Sequence, residues 1–278
     1  MPLVTATDLL AVAGREGKAV GAFNVVLLEH AEAFVSAAER AELPVVLQIS
    51  ENCVRYHEGL APLAVATLCL ADSATQQVCV QLDHAVSTAL VEEAVKLGLP
   101  AIMFDGSMLD YQTNVSQTAL VVTTCHLERV SVEAELGVVG GKGGVHAPGA
   151  RTDPGEAAAF VAATGVDALA VAVGTEHRMK ARDAIVDFAL VERLRAAVEC
   201  PLVLHGSSGV SDGDLRRAVS AGIAKVNIST HLNSVFTTAV RRHLTLQPAN
   251  VDPREYVGSG RDALSAEAER LLLLLAGR

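Results

Sequence analysis

Tryptophan is absent from this chain, and only three tyrosines and six phenylalanines occur among its 278 residues. Binding of single-stranded nucleic acid relies on aromatic stacking platforms, so little is on hand for it. Basic residues are also short: 22 Lys and Arg against 32 Asp and Glu give a formal net charge of -10. With no basic stripe to neutralise phosphates, a nucleic-acid partner is excluded. Cysteine is sparse and oddly numbered, at positions 53, 69, 79, 125 and 200, with no C-x-x-C pair. Reduced core thiols in a cytoplasmic protein are expected. The opening MPLVTATDLL lacks the basic and apolar regions of a secretory leader. The C-terminal LLLLLA is six residues, far below a membrane span. It follows AEAER and predicts a helix end packed on the body of the protein or on another subunit.

Half of the residues are apolar, enough for a large core. They fall into a repeated pattern of strand then helix. Strands are predicted at AVGAFN (19–24), PVVLQIS (44–50), VCVQLD (78–83), PAIMFD (100–105), RVSVEAEL (129–136), DALAVAV (167–173), PLVLH (201–205) and AKVNIS (224–229). Near-continuous apolar runs of this kind suit parallel strands covered on both faces. Between them lie amphipathic stretches such as LEHAEAFVSAAERA, VSTALVEEAVKLG and DGDLRRAVSAG. Gly98 and Gly222 suit the left-handed residue after a helix, and Ser211 with Asp214 resembles a capping box. Eight βα units without a long linker predict an α/β protein, a (β/α)8 TIM barrel. We expect one domain over residues 1–278, with a C-terminal helical extension over about 253–278.

In such a barrel the chemistry lies at the carboxyl ends of the strands. Those ends carry Asn24, Ser50, Asp83, His84, Asp105, Glu135, Gly174, His177, His205 and Asn227. Three of the nine histidines, His84, His177 and His205, each close an apolar run. Three imidazoles from three strands could converge on one metal and leave a tetrahedral position open for substrate. Asp83 either exchanges a proton with a substrate hydroxyl or orients a ligand histidine. The HGSSGVSDGD segment places Gly206, Ser207 and Ser208 just before a helix start, where backbone N–H groups favour an anion. Asn227, Ser229 and Thr230 face the same corner, and together they predict phosphate binding.

The segments AFN (22–24), LDH (82–84), VEAELG (132–137), LAVAVGTEH (169–177), LVLHGSSGV (202–210) and KVNIST (225–230) resemble the class II, zinc-dependent ketose-bisphosphate aldolases. The likeness is nearest to the tagatose-bisphosphate branch and runs from about residue 5 to residue 270. It implies that His84, His177 and His205 bind catalytic Zn2+, with Asp105 and Glu135 at an alternative metal position. A monovalent cation is left open as a second cofactor. Asp83 is implied to move the proton of the C4 hydroxyl, while zinc stabilises the enediolate left by cleavage. Gly206, Ser208, Asn227 and Thr230 are implied to hold dihydroxyacetone phosphate, and Asn24, Ser50, Gly174, Ser207 and Ser229 are further candidate substrate contacts. Arg261, in GSGRDAL, stands where relatives send an Arg across a dimer interface to the far phosphate.

Two departures from the family pattern stand out. Lys142, Gly143 and Gly144 occupy a loop where relatives carry an acidic base, and His146 is the candidate replacement. Arg178 follows His177 where relatives have Gly, and it either adds a phosphate contact or fills the pocket. The expected activity is a homodimeric or homotetrameric aldolase releasing dihydroxyacetone phosphate and an aldehyde from a sugar phosphate. Tagatose or fructose 1,6-bisphosphate is the default substrate. The rivals are a non-catalytic sugar-phosphate-binding homologue and a zinc-dependent isomerase or epimerase.

Overall fold

A computed structural model describes residues 2–137, 151–176, 182 and 184–278. Among the described residues the strands are β1 (Val20–Asn24), β2 (Val45–Ser50), β3 (Val78–Ala85), β4 (Ala101–Phe104), β5 (Ser131–Leu136), β6 (Ala168–Val171), β7 (Leu202–Leu204) and β8 (Ile223–Ile228). Each pairs with its successor, and β8 pairs in parallel with β1, so the sheet closes into a (β/α)8 barrel. The helices are α1 (Ala6–Arg15), α2 (Leu28–Ala41), α3 (Glu51–Tyr56), α4 (Ala61–Ser73), α5 (Thr88–Leu97), α6 (Tyr111–Leu127), α7 (Pro154–Thr164), α8 (Phe188–Ala197), α9 (Asp212–Ala221), α10 (Thr230–Leu246) and α11 (Pro253–Leu275). Most alternate with the strands as expected. The sequence pattern missed α1, which precedes the barrel, and the short α3, which stands between β2 and α4.

Strand alternation sorts the side chains into two cores. Outward positions such as Phe23, Leu47, Val80, Ile102, Val132, Leu169 and Val226 join the core between sheet and helices. Inward positions start apolar: Ala22, Val46, Cys79, Ala101, Ala168 and Val203 pack with Leu9, Leu10 and Ala13 of α1. This helix therefore closes the barrel floor. One pleat pair further along β2, β3, β5 and β8, the inward positions turn polar: Gln48, Gln81, Glu133 and Lys225, all buried, while β4 and β6 keep the apolar Met103 and Ala170. Another pair along lie Ser50, Asp83, Glu135 and Asn227. The parallel register holds these rows level, pairing Gln48 with Gln81 and Ser50 with Asp83.

Local chemistry fixes the helix ends. Ser211 Oγ accepts from Asp214 N at 3.1 Å, and Gly98 (φ 86°) and Gly222 (φ 121°) end their helices. The C-terminal leucines pack on the body of the protein: Leu271, Leu272, Leu274 and Leu275 are buried on α11, which lies against α2. Three expectations are corrected. β3 extends past residue 83 to Ala85, so His84 lies within the strand. β6 stops at Val171, short of residue 173. Cys69 is exposed on α4, so not every thiol belongs to the core.

A charged clamp ties α9, α10 and α11 together. His231 Nε2 meets Glu267 at 2.6 Å, Glu267 accepts from Arg270, and Arg270 reaches Asp212 at 2.6 Å. Burial opposes ionisation of Glu267, but Arg270 and His231 outweigh it and bring the carboxyl down to about 2. A depressed carboxyl stabilises the fold above its unfolded pKa of about 4.3, and that contribution is lost as pH falls toward the folded value. Glu267→Gln should therefore flatten the loss of stability between about pH 4.5 and pH 2, where the native clamp contributes about 1–2 kcal/mol after screening. Urea denaturation across that range checks this; parallel acid limbs for both proteins would contradict it.

Candidate active site

Asp83 and His84 are neighbours in β3, and neighbours in a regular strand face opposite ways. The chain resolves this with a local distortion. His84 adopts a left-handed backbone (φ 50°), and the pairing of β3 with β4 slips between Leu82 and Ala85. Both side chains consequently line the cavity at the barrel mouth. Left-handed backbone is costly for a residue with a Cβ, so the positioning has an energetic price.

Asp83 is held from two sides. Asn24 Nδ2 donates to Oδ2 at 2.9 Å and Gln48 Nε2 donates to Oδ1 at 3.2 Å. The carboxyl is buried, with His84 Nε2 3.9 Å from Oδ1. On its other side, His84 Nδ1 lies 2.8 Å from Asp105 Oδ2, and Ser107 donates to the second Asp105 oxygen. Across the mouth, His205 Nε2 lies 2.9 Å from Glu133 Oε1, while Nδ1 lies 3.5 Å from Glu135 Oε2. The two imidazoles meet edge to face, with centroids 4.8 Å apart.

His84, Glu135 and His205 offer ligand atoms that all lie within 4.8 Å of one another. Two imidazoles and a carboxylate are a donor set that suits zinc and related divalent cations. Each ring also has one nitrogen against a carboxylate, Asp105 for His84 and Glu133 for His205. Partners of that kind fix ring orientation and tautomer in metal sites. Their opposite nitrogens, Nε2 of His84 and Nδ1 of His205, are the ones a metal would take. The residues present therefore fit a divalent cation.

Below this row lies a polar layer that sequence reading overlooked. Lys225 is fully buried at the barrel centre, where its ammonium pairs with Glu133 and donates to Gln81 Oε1 at 2.7 Å. Gln81 donates in turn to Glu133 at 3.1 Å, and Gln48 donates to Gln81. Burial works against a charged Glu133, but Lys225 and His205 prevail and hold its carboxyl well below the usual range. The clue was present in VSVEAEL and AKVN: a charge inside an otherwise apolar strand must find a partner.

The mouth cavity has a volume of about 580 Å³. Asn24, Ser50, Asp83, His84, Asp105, Gly206, Ser207, Ser208, Asn227, Ser229 and Thr230 all line it, as expected. Gly206 adopts φ 67°, and a Cβ there would meet backbone atoms of Glu176 at 2.7 Å, so only glycine fits. Ser208 Oγ accepts from His231 N, joining this loop to the first turn of α10. Asn227 Oδ1 is buried with no hydrogen-bond partner among the described residues. Ser207 spends its hydroxyl on Leu204 O at 3.0 Å.

Two of the candidate contacts, Gly174 and Arg261 (the latter expected to serve a second copy's site), do not line this cavity. For Gly174, a φ of 108° and a virtual Cβ 2.3 Å from Ile185 O give it a conformational role. Arg261 stands on α11 in a separate groove, bound to Glu32 at 3.0 Å. His146, His177 and Arg178, with loop residues Lys142, Gly143 and Gly144, lie outside the described residues. Glu51, Asn52, Arg55 and Asn233 line the cavity without having been anticipated.

A barrel mouth bearing imidazoles, carboxylates and a helix start defines a metal-capable enzyme site of the (β/α)8 class. Comparison with known proteins gives the family: the model for class-II fructose-bisphosphate aldolase matches residues 4–277, and the chain belongs to that family. A Bacillus subtilis (strain 168) protein named "Probable fructose-bisphosphate aldolase" is 37% identical over 268 residues, covering 95% of this chain and 94% of its own. The YdjI aldolase of Escherichia coli K12 superposes with a TM-score of 0.85 at 31% identity, covering 98% of this chain and 97% of that one. A fructose-bisphosphate aldolase of Campylobacter jejuni, 22% identical, shares the fold at a TM-score of 0.84, covering 98% and 95%. Membership implies a lyase acting on sugar phosphates, in a class that is generally metal-dependent. No helix among the described residues is long and apolar enough to cross a membrane.

Breaking the central ion pair should be severe. Lys225→Met strands the Glu133 carboxylate, and losing one partner of a buried pair costs about 3–5 kcal/mol. Replacing both residues with methionine should recover most of that loss. Urea unfolding of the single and double variants tests the point; equal stability of wild type and Lys225→Met would refute it.

Proposed function

We propose that this chain is a zinc-dependent aldolase that cleaves a ketose 1-phosphate into dihydroxyacetone phosphate and an aldehyde. The observation that carries the reading is the convergence of His84, His205 and Glu135 within 4.8 Å, with Asp83 beside His84. His84, His177 and His205 would hold the metal, with Glu135 and Asp105 alongside. Bound there, zinc would supply a Lewis acid for the negative charge that gathers on the ketone oxygen as the C3–C4 bond breaks.

The remaining steps belong to the chain's own groups. Asp83 is aimed by the amides of Asn24 and Gln48, which donate to its two oxygens. As a carboxylate it takes the C4 hydroxyl proton, and that carbon becomes the aldehyde carbonyl. In the condensation direction the same proton returns to the aldehyde oxygen. The electron pair of the broken bond stays with the dihydroxyacetone phosphate half, whose nucleophilic carbon then gains a proton. We assign that exchange to His146. The phosphate of this half would lie at Gly206, Ser208, Ser229 and Thr230, against the first turn of α10, where helical N–H groups favour an anion. Asn227, whose Nδ2 lies 3.0 Å from His205 Nε2, lines the same wall. Fructose and tagatose 1,6-bisphosphate are the first substrates to try.

The test is triose phosphate release over a panel of ketose phosphates, with metal content measured on the same samples. Asp83→Asn should lower kcat by roughly 10²–10⁴-fold, the usual contribution of a positioned acid or base. Its metal content should match the wild type. Chelation should abolish cleavage, and Zn2+ should restore it. Full activity after metal removal would sink the reading. Conversion of the ketose without triose release would replace it with isomerisation.

A further inference from the structure

Among the described residues lining the mouth cavity, Arg55 is the only lysine or arginine; Glu51, Asp83 and Asp105 supply carboxylates. Among those residues it is the one cationic side chain that a second anionic group of a substrate could meet. Its place is built rather than incidental. Ser50 caps α3 by accepting from Cys53 N, and it lies in register with Asp83 across β2 and β3. The helix thus starts beside the proton-transfer carboxylate and carries Arg55 about one turn onward. Arg55 Nη2 binds Glu51 Oε1 at 2.5 Å, and Nη1 binds Asn52 Oδ1 at 2.9 Å.

Glu51 is itself anchored: it is buried, and its second oxygen accepts from Val86 N at 2.7 Å in the loop after β3. The guanidinium is consequently held over the cavity by a group fixed to two barrel loops. A guanidinium has five N–H donors. Two are committed here, and the planar fork suits bidentate capture of a phosphate or carboxylate. The phosphate corner follows β7 and β8. Arg55 instead follows β2, the strand next to β3 and its Asp83, so Arg55 and that corner belong to different loops of the mouth.

The geometry points to Arg55 as a specificity-determining residue that binds an anionic group at the far end of the aldehyde half. This assignment rests on the aldolase reading. It predicts that the enzyme prefers ketose 1-phosphates with a second anion over those ending in a hydroxyl, and that Arg55 carries the preference.

The experiment compares fructose 1,6-bisphosphate with fructose 1-phosphate on wild type, Arg55→Met and Arg55→Lys. The two ketoses share the dihydroxyacetone phosphate half and differ only at the far phosphate. Both are assayed on one preparation, so any loss of folded protein cancels in the ratio of their kcat/KM values. Arg55→Met should lower that ratio at least tenfold, mainly through KM of the bisphosphate, and Arg55→Lys should lie between. A third arm uses a ketose 1-phosphate with a terminal carboxylate, and the larger loss identifies the anion the residue serves. A ratio within twofold of wild type in both arms overturns the assignment and leaves Arg55 as a rim ion pair. If the wild type cleaves no ketose phosphate, the aldolase reading fails by itself. Calorimetric affinities for the same ligands then decide Arg55 on the same ratio.

Discussion

Lys225 carries its ammonium into the middle of a closed barrel, where it is fully buried, and Glu133 is the partner that makes this tolerable. An isolated charge there would be prohibitively unstable, and even a paired one requires its remaining donors and lone pairs to be satisfied. Gln81 and Gln48 do so from neighbouring strands. The resulting layer extends in two directions, to His205 through Glu133 and to Asp83 through Gln48. The groups assigned to metal binding and to proton transfer thus stand on one polar platform. A jostled lysine at the centre would disturb both.

That platform also explains what the sequence disclosed and what it withheld. The closed barrel was legible because eight apolar runs alternate with helices, and the runs themselves are the outward core. Polar residues at strand ends were legible too, since LDH and LVLHGSSG end on groups that have no reason to be buried in fat. Glu133, Gln81, Gln48 and Lys225 were missed because each looks like a single polar interruption. Only closure shows that the four interruptions face one another. The joint presentation of Asp83 and His84 has a cause, a left-handed residue inside a bulged strand, that carries no sequence signature. Arg55 escaped notice for a different reason: it belongs to a six-residue helix with too few turns to display a periodic pattern.

The cavity separates its tasks by origin. Groups that must be placed accurately, Asp83, His205, Glu135 and Asn227, come from strands or their immediate ends and are buried. Groups assigned to the charged ends of a ligand come from the loops and first helical turns after β2, β7 and β8. Strand-borne groups inherit the rigidity of the barrel, whereas loop-borne groups can change without disturbing it. Within such an arrangement, substrate preference is adjustable at the rim while the reacting centre stays the same. The contrast between Arg55 on α3 and Arg261 on α11 shows how two basic side chains of one chain end up in unrelated grooves.

The unusual backbone at His84 limits what could replace it. A β-carbon in that conformation carries strain of roughly 1–2 kcal/mol, which glycine would not feel. Glycine would relieve that strain but would also remove the imidazole and its contact with Asp105, whereas any other side chain would keep the strain. The cost of this backbone is therefore tied to the side chain that it presents.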